Sequence, residues 1–100
     1  MAETADLGPA LISYLGYQRA SYPQSDWRAV VDALGMERAD AVELPMLDLL
    51  ARLREMKPDW QALSLYQGSE WAVRELRRAS PELDDRASKP LVWLFSYENK

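Results

Sequence analysis

One hundred residues weighing 11.5 kDa fit a single domain, residues 1–100, and 48% hydrophobic with 28% charged residues is a balance that folds. The chain has no cysteine and no histidine. That excludes disulfides, thiolate nucleophiles and sulfur-based zinc sites, and removes both the commonest general base and the commonest imidazole ligand. A net charge of -4 and a pI near 4.8 argue against a generic binder of nucleic acid or anionic membrane.

The first residues, Met1 to Asp6, are acidic where a secretory leader would be basic. The longest uninterrupted apolar run, Leu91–Phe95, is far short of the roughly 20 residues that a membrane helix needs. With the lack of cysteine, this predicts a cytoplasmic protein that uses no membrane.

Leucine and alanine dominate the apolar composition over the β-branched residues, which favours helix over strand. Gly8-Pro9 predicts a first helix opening near Pro9, with Leu11, Ile12 and Leu15 on one side, fading before Ser21. Ser25 reads as the N-cap of a second helix, with Asp26 in its first turn. Trp27, Val30, Val31 and Leu34 then recur at i, i+3, i+4 and i+7, and Gly35 supplies the stop.

A third helix is predicted from Pro45 to about Lys57, ended by Pro58, with Met46, Leu49, Leu50, Leu53 and Met56 inward and an Asp48–Arg52 pair outward. Glu37–Leu44 adds a short helical turn before it. Asp59 reads as the cap of a short apolar segment, Trp60–Tyr66, broken at Gly68. Ser69 reads as the cap of a helix over Glu70–Ala79, with Ala72, Val73, Leu76 and Ala79 inward.

Pro81–Ser88 reads as a polar connection. The last segment, 90–97, fits two readings, because Leu91–Phe95 shows no helical period and is equally suited to a buried strand. In the strand reading, Ala62–Tyr66 and Trp71–Val73 pair around Gln67-Gly68 as a hairpin and the fold becomes α+β. A faint echo favours helix: Tyr22–Trp27 resembles Tyr66–Trp71, and Pro45–Leu50 resembles Pro90–Phe95, as a duplicated helical hairpin would.

The expected fold is therefore mainly α, an irregular bundle of five or six short helices. Its expected core is Leu11, Leu15, Trp27, Val30, Val31, Leu34, Met46, Leu50, Leu53, Leu63, Val73, Leu76, Leu91 and Leu94.

Catalytic motifs are scarce. The four glycines form no phosphate-binding loop, and no serine stands in G-x-S-x-G or S-x-x-K context. Acids at Asp40 and Glu43, and at Glu82, Asp84 and Asp85, have oxygen ligands for Mg²⁺ or Ca²⁺ but lack the spacing of a calcium loop. A solvated acidic stretch explains them as well. No cofactor and no metal site is expected.

Charge is uneven along the chain. Residues 1–50 hold eight acids and three arginines, whereas residues 51–100 hold eight acids and nine bases. The basic groups Arg52, Arg54, Lys57 and Arg74, Arg77, Arg78 fall near helix ends, where they complement the dipole or receive an acidic partner.

Trp71 points off the inward stripe of its helix toward Arg74 and Arg78, the composition of an interface hot spot, though burial against the preceding segment also accounts for it. Tyr14, Tyr17, Tyr22 and Trp27 surround the first helix connection, where they suit either an interface or a core edge. The candidate protein-binding residues are Tyr17, Tyr22, Trp71, Arg74 and Arg78.

The functional expectation is a small acidic module that binds another protein, as an inhibitor, immunity-type protein or accessory subunit does, without catalysis. The alternatives are a scaffold protein that homodimerises through Leu91–Phe95 and, below it, a carboxylate-dependent metal enzyme.

Overall fold

The structure is a computed structural model that describes residues 2–81 and 83–100, with residues 2–5 by backbone alone. It holds five helices and, among the described residues, no strand: α1 (Ala2–Leu15), α2 (Trp27–Leu34), α3 (Met36–Arg54), α4 (Leu65–Ala79) and α5 (Asp85–Asn99). The C-terminal segment is helix, so the strand alternative and its hairpin are both corrected.

Helices α1, α3 and α5 run in the same sense. Asp6 near the start of α1 meets Arg38 near the start of α3, Arg54 at the end of α3 meets Glu98 at the end of α5, and Gly8 lies against Ala87. Helix α4 runs the other way, since Arg77 near its end reaches Asp85 at the start of α5. Helix α2 bridges α1 and α3.

One continuous core joins Leu7, Leu11 and Leu15 of α1, Val30 of α2, Val42, Met46, Leu50 and Leu53 of α3, Val73 and Leu76 of α4, and Leu91, Leu94 and Phe95 of α5. Ten of the fourteen expected core residues are buried. Trp27, Val31, Leu34 and Leu63 are half-buried instead, and Ala79 is exposed. The α2 residues fall short because that helix covers the core from one side and has no layer beyond it.

All three proline-started helices begin earlier than expected. Pro9, Pro45 and Pro90 each lie inside a helix. Proline suits a first turn because it lacks an N–H, and that same deficit makes an interior position costly, by about 3 kcal/mol. Burial outweighs it: α3 joins the expected turn at Glu37–Leu44 to the stripe after Pro45, burying Ala39 and Val42 in line with Met46, Leu49, Leu50 and Leu53.

The caps differ for a related reason. Asp26, not Ser25, caps α2, accepting from the Ala29 N–H at 3.1 Å. Ser64 opens α4 with a reciprocal capping box to Gln67, so Ser69 falls inside the helix, buried, its hydroxyl donating to the Leu65 carbonyl at 2.8 Å. Asp84 caps α5 through the Ala87 N–H, so Pro81–Ser88 is only partly a connection. Asp59 accepts from the Gln61 N–H and holds a turn over Trp60–Leu63, which is no helix. The echo thus places Trp27 at a helix start and Trp71 inside one, and the two stretches fold differently.

Two glycines are dictated by geometry. Gly35 joins α2 to α3 as a single residue at φ 86° and ψ 157°, a backbone region open essentially to glycine alone. Gly68 lets the Trp60 indole lie flat on α4, since a Cβ there would stand 2.3 Å from the ring. The same indole stacks on Phe95, with ring centroids 6.3 Å apart.

Candidate functional site

Helix α5 has two working faces. Ala87, Pro90, Leu91, Leu94 and Phe95 point into the core, while Ser88, Lys89, Val92, Trp93 and Ser96 turn toward α4 and solvent. Helix α4 meets them with Tyr66, Glu70, Val73, Arg74 and Arg77, spaced so that all five share one side of a helix. Between the two helices runs an open groove.

Its larger part encloses about 540 Å³ and is completed by Tyr17 from the loop after α1. A shallower part of about 190 Å³ continues past Val73, Arg74 and Arg77, and the two share Glu70, Ser88 and Val92.

The floor is apolar and aromatic. Tyr17 meets Trp93 edge to face, with ring centroids 5.6 Å apart and planes at 61°. The rim is mainly cationic, from Lys89, Arg74 and Arg77, against Glu70. Arg77 is committed within the fold, donating to the Leu83 carbonyl and to Asp85, each at 3.1 Å. Arg74 and Lys89 have no ion-pair partner among the described residues. The Glu70 carboxylate, one turn on from Tyr66, raises that hydroxyl above its ordinary pKa by accepting its hydrogen bond and by its charge.

Two hydroxyls of the groove are engaged within α5. Ser88 donates to the Asp84 carbonyl at 2.9 Å and Ser96 to the Trp93 carbonyl at 3.0 Å, so both hydroxyl protons go to their own helix. Among the described residues no three acids converge on a point where a metal would sit. Asp84 caps α5 and Asp85 holds Arg77; Glu82 lies outside the described residues. No described helix is long and apolar enough to cross a membrane.

The five candidate binding residues fall into three places. Tyr17 and Arg74 line the groove. Tyr22 is exposed and stacks on Tyr97 at 6.2 Å, with the Lys100 ammonium 4.5 Å from the Tyr97 ring. Trp71 is half-buried against the core, and Arg78 is exposed and pairs with Glu75 at 3.5 Å, both on another side of α4. No contact of Trp71 with a cation is found among the described residues, so packing rather than cation–π stacking holds it.

Sequence reasoning missed Tyr66, Lys89, Val92 and Trp93. The signal was present: Lys89, Val92, Trp93 and Ser96 recur at i, i+3, i+4 and i+7, a second period overlaid on the core stripe. The segment proposed for dimerisation, Leu91–Phe95, lies within this chain, with Leu91, Leu94 and Phe95 buried and Val92 and Trp93 half-buried. Comparison of the chain with protein-family models, curated proteins and solved structures found no match.

Proposed function

We propose that this chain is a protein-binding module, of the inhibitor, immunity-type or accessory kind, that acts without catalysis and seats a partner segment in the α4–α5 groove. The observation that carries the reading is an apolar floor edged by Lys89 and Glu70 that continues into a shallower part edged by Arg74 and Arg77, on a chain that is acidic as a whole. A groove of that size between two helices suits side chains of an amphipathic helix or an extended segment.

Lys89 and Arg74 favour acidic residues at the edges of that segment, and Val92, Trp93 and Tyr17 favour aliphatic or aromatic residues at its centre. A cytoplasmic setting goes with the reading, since the cysteine-free composition suits a reducing compartment.

The test is capture from native lysate with three baits: the wild type, Arg74→Glu/Lys89→Glu, and Trp71→Ala/Arg78→Ala. Each variant must first show wild-type circular dichroism and melting. A partner lost by the groove variant and kept by the other supports the groove, and its capture should weaken as salt rises. Loss only with Trp71→Ala/Arg78→Ala moves the surface to the other side of α4. Recovery by all three baits rejects the groove, and recovery of nothing beyond the bait counts against the module.

A further inference from the structure

Helix α3 carries a second apolar stripe, on the side away from the core. Met36, Leu44 and Leu47 are 63%, 75% and 40% exposed, and Ala51 continues the line. At 3.6 residues per turn these four, with Asp40 among them, fall within an arc of about 80° and span roughly 22 Å. None of them lines the α4–α5 groove. Leu44 and Leu47, one turn apart, form an exposed apolar pair, with Met36 two turns before Leu44 and Asp40 between; apolar side chains grouped on one exposed helix face mark interaction surfaces.

Charge says what covers it. The first half of α3 is acidic outside the core, with Glu37, Asp40 and Glu43, while its last turn is basic, with Arg52 and Arg54. The nearby Arg38 is already committed to Asp6. An isologous two-fold contact requires a surface that complements itself. This one does so in a single orientation: an antiparallel copy sets the acidic half of one helix against the basic turn of the other, and opposes their dipoles favourably.

Within the chain, Arg52 pairs with Asp48 at 3.0 Å and Arg54 with Glu98 at 3.2 Å. Arg52 also donates to the Ser80 hydroxyl at 3.3 Å, and Arg54 holds Glu98 through two hydrogen bonds at 3.2 and 3.3 Å. Each guanidinium is about half exposed and has five N–H donors, so it can take an acid of a second copy without giving up its own partner. We infer that the outer face of α3 is a homodimer surface, pairing antiparallel with a second copy around Leu44 and Leu47. The inference is independent of the groove reading.

A charge exchange tests it, with sedimentation equilibrium from micromolar to millimolar concentration as the readout. The wild type should be a reversible dimer. Leu44→Asp/Leu47→Asp should raise its dissociation constant at least about tenfold, since that loss corresponds to only about 1.4 kcal/mol. Glu37→Lys/Asp40→Lys alone and Arg52→Glu/Arg54→Glu alone should each be monomeric, because each places like charges opposite one another. Mixed in equal amounts they should form a heterodimer, since each exchanged residue then faces one of opposite sign. A wild type that is monomeric throughout overturns the inference. So does a dimer indifferent to Leu44→Asp/Leu47→Asp, or an equal mixture of two folded charge variants that stays monomeric.

Discussion

The inner and outer sides of α5 share a stretch of ten residues and do different work. Inward, Ala87, Pro90, Leu91, Leu94 and Phe95 are buried in the core, where α5 packs against α1 and α4, and hold nothing polar. Outward, Ser88, Lys89, Val92, Trp93 and Ser96 form one wall of the groove and mix apolar, aromatic and charged groups. A helix that serves a core and a groove at once needs apolar residues on both sides. In sequence the two stripes overlay and cancel each other's period, which is why Leu91–Phe95 is compatible with a strand when read alone. The lost period is itself the mark of the second face.

The contrast breaks open most clearly at Phe95 and Val92. Phe95→Ala removes a fully buried ring that also supports Trp60 and should cost about 3–5 kcal/mol in urea denaturation. Val92→Ala, half-buried in the groove wall, should cost about 1 kcal/mol or less and instead weaken partner capture. Equal losses of stability would mean that both sides of α5 belong to the core, and the groove would lose its standing as a binding site.

The same division between inside and edge appears in the ion pairs, and acid pH sharpens it. Asp6 is only 5% exposed and receives two hydrogen bonds from Arg38, one of them at 3.1 Å from Nε. That guanidinium holds the Asp6 carboxyl below its ordinary pKa, against the opposing effect of burial. A carboxylate with a lowered folded pKa contributes stability that is complete above the unfolded value, about 3.9, and is lost as pH falls through the folded one. Asp6→Asn should therefore lower the melting temperature at neutral pH and shrink the difference from wild type as the solution is acidified below that value. Because Arg38 remains half in water, the neutral-pH loss should be smaller than that of Phe95→Ala. A variant whose deficit stays constant down to strong acid would show that Asp6 acts by shape alone.

What the sequence made legible follows from how many tasks each residue has. α2 serves one core with one stripe, and in the second half of α3 the core stripe keeps its helical spacing beside the exposed Leu47, so Trp27, Val30, Met46, Leu50 and Leu53 declare their helices directly. Pro45 and Pro90 mislead because local preference points to a helix start, whereas the energy that extends each helix past them comes from burial of residues far away in sequence, such as Leu11 and Leu76. Of the candidate site, Tyr17 and Arg74 were visible as unabsorbed aromatic and cationic groups. Tyr66 was not, because its place on α4 depends on Ser64 rather than Ser69 being the cap.

Gly68 gives the smallest expected effect and the finest test of how the connection before α4 is held. Alanine there gains about 1 kcal/mol of helix propensity over glycine, but its Cβ meets the Trp60 indole at 2.3 Å in the present arrangement. The ring atoms in the way are the far end of a side chain already 42% exposed, so the indole can swing outward rather than force the helix apart. Its stacking on Phe95 is then lost, and aromatic pairs of that kind contribute about 0.5–1.5 kcal/mol. The two effects nearly cancel, so Gly68→Ala should leave stability within about 1 kcal/mol of wild type. Trp60 fluorescence, read in a chain whose other tryptophans are replaced by phenylalanine, should nevertheless move to the red. A loss well beyond that balance with no red shift would mean that the indole is fixed, and that Gly68 is required by a rigid contact between the connection and α4.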